Sequence, residues 1–186
     1  NNQDICWVEG LLSTIYDVFL DQIVDGQIYT KGTGERDPSR EHWTRLHELN
    51  LAQNALLVFD RGYYSKELYE DLVSDGCHVL MRLNKGNHLT RLGSDDFSWT
   101  AASADGKPVL YRIVRVPLPE QSNEEAEYLV TNITDPSISP ALLYNLYFER
   151  WNIETKYREL KEWWELEEFT GTSCNSIEQE LYINLL

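Results

Sequence analysis

The sequence predicts an α/β fold, a mixed β-sheet flanked by helices, and three observations carry that reading. The first half alternates strand-like and helix-like stretches in the order ββαβαβ. The run N-A-L-L-V-F-D, ending at Asp60, is short and continuously apolar, the pattern of a strand buried on both faces. A long stretch after D-P-S-I-S-P is apolar at helical spacing along one side. At 186 residues, 42% hydrophobic with 6 Trp and 11 Tyr, the chain can bury a real core, which excludes disorder.

Residues 5–29 read as two strands, the second beginning at Asp17 and rich in β-branched residues. G-T-G-E-R-D-P-S closes on a helix with Asp37 as N-cap and Pro38 at its first position, running to about Leu49. After the Asp60 strand, R-G-Y-Y turns and Ser65 caps a helix that ends at Asp75-Gly76. H-V-L-M-R-L is the next strand. Residues 85–127 differ in character: G-N, G-S-D-D and D-G-K-P turn signals, an alternating V-L-Y-R-I-V-R-V, then the acidic E-Q-S-N-E-E-A-E. That segment reads as a small antiparallel insertion with an exposed acidic loop. E-Y-L-V-T-N-I returns as a strand, and Ser139-Pro140 open one long helix to about Glu168. A terminal helix follows from Ser176.

Composition excludes several functions. With 16 Lys+Arg against 31 Asp+Glu, the chain is too acidic for a generic nucleic-acid binder, which would carry basic patches. No apolar run reaches the ~20 residues of a membrane helix, and no signal peptide opens the chain. Cys6, Cys77 and Cys174 are odd in number and widely spaced, which predicts reduced thiols in a cytoplasmic protein, with Cys77 in the core. His42 and His47 stand five apart instead of the i,i+4 of a metal pair, and are expected on the surface. There is no G-x-S-x-G and no Walker loop, so serine-hydrolase and P-loop chemistry have no support.

The stretch Y-F-E-R-W-N-I-E-T-K-Y-R-E-L-K carries the strongest chemical signal. On a single α-helix at about 100° per residue, with Tyr147 at zero, Arg150 falls near roughly 300°, Glu154 near 340° and Lys161 near 320°. The four line a narrow stripe at the rim of the apolar face. An Arg150–Glu154 ion pair at i,i+4 accounts for two of them but leaves Lys161 unexplained. Asp60 stands at the carboxyl end of its strand, where open α/β sheets place their sites, and a turn-forming Asp before Arg61-Gly62 is the competing account. Two such carboxylates suit Mg2+, which takes one or two protein oxygens and leaves the rest to water and phosphate. A Tyr, an Arg and a Lys beside them would supply phosphate contacts.

The spacing Y147-x2-R150-x3-E154-x6-K161 resembles the Y-R-E-K signature of DDE transposases from bacterial insertion sequences. F-D60-R61-G62-Y63 resembles the segment carrying that family's second catalytic aspartate. L-S-T-I-Y-D-V, Y-L-V-T-N and L166-E-E-F169-T-G171-T-S173 are similar as well, so the resemblance covers essentially the whole chain. It implies an RNase H-like mixed sheet flanked by helices, with 85–127 as the β-rich insertion before the catalytic-glutamate helix. It also implies Asp60 and Glu154 as catalytic metal ligands, a two-metal Mg2+ or Mn2+ site, and Tyr147, Arg150 and Lys161 as DNA-binding residues. The partners it implies are DNA, as transposon ends and target, and a second copy in the synaptic complex of a cytoplasmic, nucleoid-associated protein.

One departure stands out. The family's first catalytic aspartate lies on a strand upstream of the L-Y-D-V hairpin; Asp4 has no strand before it, and Asp17, Asp21 and Asp25 match the hairpin itself. Residues 1–186 therefore read as a fragment of a single RNase H-like catalytic domain, inactive in isolation. A degenerate, non-catalytic binding module and another RNase H-like nuclease are the alternatives. Tyr147, Arg150 and Lys161 favour the transposase, since a plain nuclease needs the carboxylates but not this phosphate-gripping set.

Overall fold

The computed structural model describes residues 10–30, 32–34, 36–92, 94–163 and 173–185, in two compact units. The first joins the N-terminal segment through Arg45 to residues from Asn152 onward; the second is Leu46–Trp151. Asp4, Cys6 and the F169-T-G171-T segment lie outside the described residues. No helix among the described residues is long and apolar enough to cross a membrane.

In the second unit, β3 (Leu56–Phe59), β4 (His78–Arg82), β5 (Asp96–Ala102), β6 (Pro108–Pro117) and β7 (Ala126–Thr131) form one sheet in the order β3-β4-β7-β6-β5. β3 and β4 run parallel and every other neighbouring pair is antiparallel, so the sheet is mixed as predicted. β5 and β6, both within 85–127, extend this sheet through β7. Among the described residues β3 pairs only with β4, and where the sequence predicts burial on both faces only Leu57 is buried and its three neighbours are half-buried. An apolar run reports burial potential; it does not report a strand's place in the sheet.

Helix α2 (Lys66–Ser74) starts where Ser65 Oγ accepts from Leu68 N at 3.1 Å, and stops at Gly76, whose φ of +88° suits a residue without Cβ. Its Tyr69 stacks on Tyr111 of β6 with ring centroids 4.7 Å apart. Helix α3 (Pro140–Phe148) is capped by Ser139, whose Oγ accepts from Leu142 N at 3.2 Å. Leu143 and Tyr147 of α3 pack on Leu80, Val114 and Leu129. Val114 and Tyr111 differ in parity along β6, so the two helices cover opposite faces of the sheet. These contacts hold α3, and Tyr147 with it, against the sheet.

The single long helix predicted from Pro140 does not form. Glu149–Trp151 is a 3-10 turn, and α4 (Asn152–Trp163) begins after it. Helices commonly end in this tighter geometry, and no Gly or Pro marks it here, so spacing alone reads through it. The one-helix stripe is therefore corrected: Tyr147 and Arg150 belong to the second unit, Glu154 and Lys161 to the first.

The first unit holds the hairpin β1 (Gly10–Asp17) and β2 (Gln22–Thr30), α1 (Asp37–Glu48) up to Arg45, α4, and α5 (Cys174–Leu185). β2 starts five residues later than predicted, because Asp17 Oδ1 accepts from Phe19 N (2.9 Å) and Leu20 N (3.0 Å) and folds the stretch into a turn. Leu181 of α5 is buried against Leu12, Ile23, Ile28 and Tyr157. His47 is exposed as expected, but His42 is not: it is 2% exposed. Its Nδ1 lies 2.6 Å from Asp25 Oδ2 and its Nε2 2.9 Å from Ser13 Oγ. On α1 the buried positions Ser39, His42, Trp43 and Leu46 follow helical spacing, so His42 falls on the inward stripe and is satisfied there by β1 and β2.

Candidate functional site

Asp60 follows the last residue of β3, and the parallel register pairs Phe59 with Met81. The next residues along the two strands, Asp60 and Arg82, therefore reach the same end of the sheet. Asp60 Oδ1 accepts from the backbone N–H of Arg61 at 2.7 Å and from the Tyr147 hydroxyl at 2.9 Å. Nη2 of Arg150 approaches the same oxygen at 3.6 Å. Half-burial alone would raise the Asp60 carboxyl, but these donors and the charges of Arg150 and Arg82 outweigh it and hold the group below the usual carboxylate range. The result is an ionised carboxylate, a hard-oxygen group, whose side chain is 46% exposed.

Tyr147 and Arg150 are brought to Asp60 by the end of α3 and the turn after it. The Tyr147 ring is buried in the core, which pushes its hydroxyl up to about 12, so it remains a donor at neutral pH. The Arg150 guanidinium lies over the rings of Tyr147 and Trp151, 5.4 and 5.2 Å from their centroids. Glu154, in the first turn of α4, and Lys161, in its last, are both exposed within the first unit. Among the described residues, no group of three or more His, Cys, Asp and Glu side chains is gathered as a metal cage.

Sequence reasoning passed over further charges beside Asp60. Arg61 Nη1 pairs with Glu124 Oε1 at 3.2 Å, and Arg82 Nη2 with Glu124 Oε2 at 3.3 Å and Glu127 Oε1 at 3.0 Å. The charge of Arg82 also acts on both Asp60 and Tyr147, linking this cluster to Asp60. A signal was present: β3 and β4 are both apolar runs closed by a charged residue at the carboxyl end, the edge where such sheets carry their sites.

The family model described as the transposase DDE domain matches residues 9–186. The chain belongs to this family. It is also 29% identical over 150 residues to the transposase InsG for insertion sequence element IS4 of Escherichia coli (strain K12), a match covering 72% of this chain and 33% of that protein. The chain thus spans about a third of the length of that curated relative. Membership makes this a transposase DDE domain, from a family that generally uses divalent metal ions. The mixed sheet flanked by helices agrees with the RNase H-like expectation.

Proposed function

We propose that this domain cuts DNA strands at transposon ends and joins them to target DNA, with Asp60 and Glu154 as carboxylate ligands of Mg2+ or Mn2+. The observation that carries the reading is the grip of Tyr147 and Arg150 on Asp60: two members of the Y-R-E-K signature converge on the D-R-G-Y aspartate. The donor set fits a hard cation, since Asp60 is ionised, half-exposed and oriented by three donors, and Mg2+ needs only one or two protein oxygens. When bound, two such ions would stabilise charge on the attacking and leaving oxygens of the phosphodiester.

The chain's own groups supply the rest. The Arg61 N–H and the Tyr147 hydroxyl fix one oxygen of Asp60, so its partner oxygen would be the one offered to a cation. Arg150 and the exposed Lys161 grip phosphates of the transposon end, Arg150 through its planar fork and Lys161 as a point charge. Tyr147 couples the two functions, because its hydroxyl donates to Asp60 while its ring lies under the Arg150 guanidinium. Two copies would pair the two ends in a synaptic complex, acting at the nucleoid.

Four variants of the full-length protein test this. Asp60→Asn and Glu154→Gln should abolish cleavage of transposon-end DNA while DNA affinity stays within a few-fold of wild type. Arg150→Ala and Lys161→Ala should instead weaken DNA binding and lower its salt slope by about one per lost phosphate contact. Cleavage that survives Asp60→Asn and Glu154→Gln, with only thermal stability changed, would reduce these residues to an ion-pair seam.

A further inference from the structure

We infer that Arg61 and Arg82 form a phosphate-binding cleft beside Asp60, and that Glu124 occupies it as an internal phosphate mimic that DNA must displace. The inference rests on the reading of Asp60 as the DNA-processing centre and adds regulation to it. Glu124 spans the two arginines with one oxygen on each, at 3.2 and 3.3 Å. A backbone phosphate presents two oxygens to a pair of guanidinium groups in the same way. Arg61, Arg82 and Arg150 are balanced there by Asp60, Glu124 and Glu127, so releasing Glu124 leaves the cluster net cationic in a chain of net charge -15. Such a local positive field is what an acidic domain needs in order to hold DNA.

Three features make Glu124 a latch and not a fixed strut. It sits in the β6–β7 connection, residues 118–125, a loop closed at its base by Leu118 N on Glu125 O at 2.9 Å. Its side chain is 28% exposed, so release returns a carboxylate to water at little desolvation cost. Arg82 keeps a second, more buried partner, Glu127, at 3.0 Å, so opening does not strand the arginine. Glu127 also disfavours the closed state. Burial raises its carboxyl, Arg82 opposes that, and the neighbouring charge of Glu124 adds to the rise, so the two carboxylates repel. The latch is therefore held by partly exposed ion pairs and loosened by a like charge, which suits displacement by a polyanion.

The test compares Glu124→Gln with Glu125→Gln, an identical charge change at the adjacent exposed residue. Binding of a short duplex is read by fluorescence anisotropy, and binding of inorganic phosphate by NMR of the Arg61 and Arg82 side chains. Glu124→Gln should tighten DNA binding about 3- to 10-fold and move the arginine signals at lower phosphate concentration, because the competent state no longer has to be opened. Glu125→Gln should gain no more than about 2-fold in either, through long-range charge alone. The Glu124→Gln gain should vanish in an Arg61→Gln background. Equal gains from the two loop variants, or a gain that survives Arg61→Gln, overturn the latch. A phosphate gain without a DNA gain would leave the latch standing and sink the reading of Asp60 as a DNA-processing centre.

Discussion

At Asp60 burial works toward the neutral acid, while the Arg61 N–H, the Tyr147 hydroxyl and two guanidinium charges work toward the carboxylate, and the second set prevails. The charge of this carboxylate is thus set by residues of the same motifs that flank it. Tyr147→Phe keeps the buried ring and removes one donor, so the Asp60 carboxyl should titrate at higher pH than in wild type, measurable from its carboxyl carbon shift. The sign follows from the bond: a donor to the charged form lowers the pKa, and its loss raises it. The stabilisation Asp60 contributes is full above its unfolded value, about 3.9, and is lost as pH falls through its lower folded value. Tyr147→Phe should shrink that acid-side loss and cost roughly 0.5–1.5 kcal/mol of stability at neutral pH, one net hydrogen bond. A titration unchanged by Tyr147→Phe would remove Tyr147 from the positioning of Asp60.

Individual elements were legible wherever sequence chemistry is local. Ser65, Ser139 and Gly76 act at the helix ends where their side-chain chemistry put them, and Cys77 is buried in the core. Three features were not legible: two depend on partners distant in sequence, and one, the helix break, has no local marker. Among the described residues β3 stands at one end of the sheet order, which its own residues do not encode. The helix break at Glu149–Trp151 carries no Gly or Pro. His42 looks like a surface residue until Asp25 and Ser13, 17 and 29 residues away, supply its bonds. His42→Ala should leave Asp25 and Ser13 short of a buried partner and cost roughly 1–3 kcal/mol, lowering Tm by about 2–12 °C, whereas His47→Ala should be neutral. Leu143→Ala removes the buried contact that docks α3 and should cost about 2–5 kcal/mol by thermal melting. It should also loosen the Tyr147 hydroxyl from Asp60, seen as a rise in the Asp60 titration. A Leu143→Ala protein of wild-type Tm would mean that α3 is held by something other than this cluster.

For the whole molecule, a net charge of -15 and a DNA partner are compatible only if positive charge is concentrated where DNA is processed. Arg61, Arg82 and Arg150 around Asp60 would meet that requirement in the second unit once Glu124 is displaced, and Lys161 adds a cation to the first. Because the attraction is local, DNA affinity of the full-length protein should fall steeply with salt despite its acidity, with a slope set by these few contacts. A flat salt response would contradict the phosphate roles. The central claim is narrower still: Asp60 and Glu154 are ligands of the metals that cut DNA. Its most direct measurement is a metal switch, in which Asp60→Cys and Glu154→Cys forms of the full-length protein are assayed for cleavage of transposon-end DNA in Mg2+ and in Mn2+. Thiolates suit softer ions and serve Mg2+ poorly, so both variants should be inactive in Mg2+ and recover part of their activity in Mn2+. Wild-type cleavage by Glu154→Cys in Mg2+ would show that this carboxylate holds no catalytic metal.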